Sequence, residues 1–172
     1  MVNDIVRHII RFILLVAAQV LILKYVEPGP YIRPLVYILF LLQLPFETPS
    51  WMVLLIAFFL GFCVDIFYDT VGMHMAACTF VGWTRPKILK FMAPRDGYEF
   101  GSQPTMQDMG STWFVTYAAI IIFMHHFLLY FLEMFSFAGF FHTLLRILIS
   151  SAATLLLVVV TQFLFYRTKE TA

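Results

Sequence analysis

Long apolar runs separated by short polar interruptions set the pattern of this chain. Crossing a hydrocarbon core of ~30 Å as a helix takes about 20 apolar residues. Runs within residues 112–132 and 144–165 meet that requirement outright. The run 12–26 is shorter and carries Lys24 near its end, where a long side chain can reach back to the headgroups. Residues 31–46 form the shortest run, bracketed by Pro30, Pro34 and Pro45. The run 51–68 is interrupted only by Asp65, and the run 71–84 is cut short by Arg85, Pro86 and Lys87. The pattern predicts an all-α polytopic membrane protein, with six transmembrane helices in one membrane domain spanning residues 1–172.

Charge placement tests that count. With the N-terminus cytoplasmic and six crossings, the inner side receives Arg7, Arg11, Arg85, Lys87, Lys90, Arg95, Arg167 and Lys169. The outer side receives Lys24 and Arg33, with Arg146 near the outer end of the last span. An excess of Lys and Arg on one side is what orients helices during insertion. Removing one span would put the Arg85–Arg95 cluster and the tail on opposite sides. The expected topology is therefore multi-pass, with both termini cytoplasmic. Arg7 and Arg11 ahead of an apolar run also resemble a signal peptide. Further hydrophobic segments follow, so a retained first helix is expected.

Composition agrees with the pattern. Hydrophobic residues make up 62% of the chain and charged residues 12%, against about 25% charged in ordinary soluble domains. Mean hydropathy is +0.88. In water such a surface would expose large apolar patches. The net charge of +1 supports no nucleic-acid partner. Cys63 and Cys78 lie inside apolar runs and read as small buried hydrophobes rather than a disulfide or zinc pair.

The inner-side loop, residues 85–111, begins with Lys87 and Lys90 interleaved with Ile88, Leu89, Phe91 and Met92. A short helix in the headgroup region fits that stretch. Residues 94–110, rich in Pro, Gly, Ser, Asp and Gln, read as irregular. Arg85, Lys87, Lys90 and Arg95 are candidates for cytoplasmic contacts, with attraction of anionic lipid as the simpler alternative.

Asp65 is the most informative single residue, because a carboxylate inside a span is costly and tends to be functional. Fourteen helical steps from Trp51 put it ~21 Å along its helix, in the outer leaflet. With Ala57, Gly61 and Asp69 it forms one stripe at i+4 spacing, where small residues let another helix approach. Three roles are open to it: packing or partner contact, an interfacial position, and ion or proton handling. Asp69 and Thr70 also suit a cap for the next helix. Gly72 and Ala76 offer a second small pair for packing against the stripe, and His74 is placed to hydrogen-bond Asp65 or Asp69.

His125 and His126 are adjacent, hence ~100° apart on a helix and not a chelating pair. No metal site and no cofactor is expected. Gln19 reads as an interhelical hydrogen bond, and Ser150-Ser-Ala-Ala-Thr154 as a packing surface. Nucleophile-elbow, zinc-protease and phosphate-loop motifs are missing from the sequence, so an enzyme is not expected.

The stretch Gly61-Phe-Cys-Val-Asp65-Ile-Phe-Tyr-Asp69-Thr-Val-Gly72-Met-His74 resembles the central signature of the MreD family, membrane subunits of the bacterial rod-shape machinery. Gln19, the run Pro34 to Pro45, and Arg85-Pro86 extend the resemblance over nearly the whole chain. It implies a non-catalytic scaffold of the bacterial inner membrane that binds an MreC-like protein. It also implies work alongside an MreB-like filament, a RodA-like glycosyltransferase and its penicillin-binding transpeptidase in side-wall peptidoglycan synthesis. The family's fold is similar to the substrate-binding subunits of energy-coupling-factor vitamin transporters, which makes a small-solute binder the alternative. The Ala-x-x-x-Ala docking motif of those subunits is replaced here by Ile13, Ala17 and Leu21.

Overall fold

The computed structural model describes residues 2–26, 29, 31–134 and 139–164. Its long helices are α1 (Val2–Leu21), α3 (Ser50–Tyr68), α4 (Met73–Phe91), α6 (Ser111–Met134) and α7 (Phe140–Leu164), with single turns α2 (Leu39–Leu42) and α5 (Met106–Met109). No strand occurs among the described residues. Four helices are long and apolar enough to cross a membrane: Val6–Tyr25, Ser50–Tyr68, Ser111–Met134 and Phe140–Leu164. Much of their apolar surface faces outward, with Ile13 58%, Phe59 55% and Leu156 64% exposed. Lipid removes the cost that water would impose on those faces. Phe165, Arg167, Lys169 and Pro30 lie outside the described residues.

The second apolar run is not a continuous helix. Pro34 lacks an N–H and disfavours helix at the residue before it. The chain accordingly runs without helix to Leu35, winds through a 3₁₀ turn at Val36–Ile38 into α2, and stops before Pro45. Every residue from Pro34 to Leu44 is buried. A sequence apolar on all sides suits a segment enclosed on all sides. It passes down the middle of the bundle, from Ser150 and Thr154 of α7 beside Tyr31 and Leu35 to Tyr117 of α6 and Arg85 of α4 beside Leu42 and Leu44. Thirteen residues of α6 separate Tyr130, which bonds Ser150, from Tyr117, so this passage covers about 20 Å.

Non-helical backbone at membrane depth persists only where protein groups satisfy it. Ser150 Oγ accepts from Arg33 N (3.1 Å) and donates to the Tyr31 carbonyl (2.8 Å). Thr154 Oγ1 accepts from Leu35 N (3.0 Å). Gln19 accepts from Val36 N (2.8 Å) and donates to the Pro34 carbonyl (3.2 Å). At the far end Tyr117 donates to Leu42 O (3.3 Å), while the buried Arg85 guanidinium donates to Leu44 O and to the Tyr117 hydroxyl. Gln19, Ser150 and Thr154 thus bond backbone of this segment, beyond the helix-to-helix contact their positions suggest.

α3 and α4 form the most closely packed pair. A Cβ on Gly82 would lie 2.8 Å from that of Ala57, and one on Gly61 would lie 2.5 Å from the His74 carbonyl oxygen and against the Met75 Cα. Small residues permit the approach, as expected for membrane helices. α4 continues through Pro86 to Phe91 rather than ending at Thr84, so the expected separate headgroup helix is its last turns. Thr84 Oγ1 donates to the Phe80 and Val81 carbonyls in the turn ahead of the proline, where the ladder loses a donor.

The connection after α4 is irregular but anchored. Tyr98 stacks on Phe46 with ring centroids 4.0 Å apart and donates to Leu89 O (2.7 Å). Trp113 donates to Met92 O (3.0 Å) and stacks on Tyr117. Thr105 caps α5 by accepting from Asp108 N, and Gln162 of α7 accepts from Met106 N. Burial, reinforced by Tyr117 and opposed by Arg85, pushes the Tyr98 phenol up to about 12 from its usual 10.0.

Two outcomes are expected. Thr154→Val orphans the Leu35 N–H and should lower unfolding stability by about 1–3 kcal/mol in detergent titration, while Thr154→Ser stays near wild type. Because folding raises the Tyr98 value, its contribution is intact below pH 10 and is lost as the pH rises towards 12. Thermal unfolding of Tyr98→Phe should lack that share of the alkaline decline.

Candidate functional site

The residues with most chemistry gather where α3 turns into α4. α3 ends because Asp69 takes the left-handed conformation (φ 54°), tolerated by Asp better than by most side chains, and its N–H bonds the Asp65 carbonyl. Gly72, at φ 78°, then opens α4. That tight return brings the free N–H groups at the start of α4 onto the Asp65 carboxylate. Oδ1 accepts from His74 N (3.0 Å) and Thr70 Oγ1 (2.5 Å), and pairs with His74 Nδ1 (3.0 Å); Oδ2 accepts from Met75 N (2.9 Å). The positive end of the helix dipole favours a carboxylate there. Asp65, nine residues ahead, does the capping expected of Asp69, which is exposed.

Asp65, Gly72 and His74 meet at this junction, and Ala57 and Gly61 pack along the α3–α4 contact that leads to it. Ala57, Gly61 and Asp65 face α4, which already covers them, so a further helix has no access to that stripe. His74 is buried against Asp65. Asp69 is exposed and falls outside the stripe it extends in sequence, because the left-handed residue ends the helix register. Ala76 lies instead on the outer face, in a shallow groove with Leu54, Phe58 and Trp83. The expected cytoplasmic cluster separates as well. Lys87, Lys90 and Arg95 are exposed, but Arg85 is 1% exposed and holds the end of the central segment. Its long side chain reaches inward from a helix, whereas a loop position would have left it solvated.

The junction opens onto a polar centre. Tyr68 beside His74 accepts from Gln19 Nε2 (2.7 Å). Tyr37 of the central segment lies between His74 and His125, its hydroxyl 2.9 Å from His125 Nε2, with the Cys78 sulfur 3.7 Å from the same nitrogen. His126 turns the other way, to Thr154 (3.2 Å) and the Ile122 carbonyl. Sequence reasoning missed Tyr37, Tyr68, Tyr117 and Cys78. Tyr37 carries the one hydroxyl in the run Leu35 to Leu44, and a buried tyrosine hydroxyl needs a partner. No group of three or more His, Cys, Asp or Glu that could hold a metal occurs among the described residues. With four hydrogen-bond partners already on Asp65, the arrangement is suited to fixing helices in place.

Replacing Asp65 should therefore act on stability first. Asp65→Leu removes all four acceptor contacts and is expected to cost about 3 kcal/mol or more in detergent unfolding; Asp65→Asn should cost about half as much. Equal stability of both variants with wild type would show that the junction does not depend on the carboxylate.

Comparison with known proteins adds nothing to this geometry: no protein-family profile, no curated protein and no solved structure matches the chain.

Proposed function

We propose that this chain is a non-catalytic membrane scaffold of the MreD type, serving the bacterial cell-elongation machinery. One observation carries the reading: the polar side chains inside the bundle bond chiefly its own backbone and one another, while its outward surfaces are apolar helix faces. The pronounced groove between α1 and α3, about 460 Å³, is lined by Ile9, Phe12, Phe40, Met52, Leu55 and Phe59. An apolar groove between helices suits the single membrane helix of an MreC-like partner, through van der Waals packing along its length.

Six passes in the inner membrane with cytoplasmic termini belong to the same reading. The less apolar α4 and the broken segment 31–44 would be the two passes beyond the four long apolar helices. Arg7, Arg11, Arg85, Lys87, Lys90 and Arg95 lie towards the end where α1 begins, and Lys24, Arg33 and Arg146 towards the other, a bias that favours the first end as cytoplasmic. A filled centre, with Leu35, Tyr37, Ile38, Leu41 and Leu42 fully buried, weighs against a solute site in the middle of the bundle.

The test is purification of the tagged protein from native membranes in mild detergent. An MreC-like single-span protein should be recovered, and the pair Ile9→Trp with Leu55→Trp should cut its recovery at least tenfold. Recovery of an ATPase-coupled transport module, or of a bound vitamin, would overturn the scaffold.

A further inference from the structure

On its other side α1 stands off from α7, leaving a groove of about 340 Å³. Its wall is Ile10, Leu14, Leu15 and Leu39, and Gln43 and Gln162 contribute carboxamides. Arg7 and Arg11 also line it, one turn apart on the same face of α1. Two like charges so placed repel, and no described carboxylate pairs with either: the described ion pairs are Arg33–Glu133, Arg146–Glu133 and His74–Asp65. Arg11 Nη1 is moreover enclosed without a hydrogen-bond partner. Two cations left uncompensated along one apolar groove attract a counter-charge, so the groove calls for an anion.

We propose that this groove binds one anionic phospholipid, its phosphate on Arg7 and Arg11 and an acyl chain along Leu14, Leu15 and Leu39. The placement fits. Gln162 and Met106 mark the end of the bundle, where headgroups lie, and the leucines follow one turn deeper along α1. The groove also opens on a face meant for lipid, since Ile10 is 52% and Leu14 62% exposed. Basic pockets between membrane helices recognise lipid headgroups in this manner. Lys87 and Lys90 line neither groove beside α1, and Lys87 lies over the Trp83 ring.

The whole protein in neutral detergent, titrated with phosphatidylglycerol and phosphatidylcholine of identical acyl chains and read by native mass spectrometry, tests this. Phosphatidylglycerol should bind roughly tenfold more tightly. The pair Arg7→Gln with Arg11→Gln should erase the preference, and Arg7→Lys with Arg11→Lys should keep most of it. Lys87→Gln with Lys90→Gln should leave it unchanged. Leu14→Trp, which fills the groove and keeps both arginines, should weaken both lipids alike. Equal binding of the two lipids by wild type, or a preference that survives the double Gln variant, would overturn the site. Displacement of phosphatidylglycerol by equimolar inorganic phosphate would do so too, since the acyl contacts would then count for nothing.

Discussion

The structure depends on one constraint: the backbone of residues 31–44 is not a continuous helix, yet it lies inside the bundle. A helix satisfies its own amides, so it can face lipid at no cost. This segment cannot, and hydrocarbon supplies no water to make up the difference. Its neighbours therefore have to carry hydrogen-bonding side chains at particular heights. Gln19, Ser150 and Thr154 meet one end, and Tyr117 with Arg85 meets the other. These bonds tie α1, α4, α6 and α7 to the segment that they enclose.

Polar residues in membrane spans are often read as substrate or ion sites, because they are expensive to keep there. Here the expense is offset locally. Asp65 joins α3 to the start of α4, Gln19 joins the central segment to Tyr68, and Tyr37 links the segment to His125. Each group ties neighbouring segments together, and the centre of the bundle is occupied. What the molecule can offer others then lies on its rim: apolar grooves on either side of α1, and charged side chains at its ends. α1 is the least enclosed of the four long apolar helices, with only 17% of its span buried. Both proposed contacts, a partner helix and an anionic lipid, flank it for that reason.

Much of this architecture was readable along the chain. Hydrophobic run length located α3, α6 and α7, because lipid demands about 20 apolar residues wherever a helix crosses. The i+4 spacing of Ala57, Gly61 and Asp65 put them on one face, since helical periodicity is local. Pro34 and Pro45 marked the second run as unusual, because proline acts on its own residue and its immediate neighbours.

Other properties emerged only in three dimensions. Asp65 caps α4 in place of Asp69 because a left-handed residue at 69 folds the chain back, a geometry that spacing does not encode. Arg85 reads as a surface cation from its neighbours Pro86 and Lys87, yet it turns inward to a carbonyl 41 residues earlier. Tyr37, Tyr117 and Cys78 look like ordinary apolar-run residues until His125 and the broken segment are brought beside them. Run length and helical period, being local, were determined by the sequence itself. Which polar group meets which depends on how distant segments stack, and only the tertiary structure decided that.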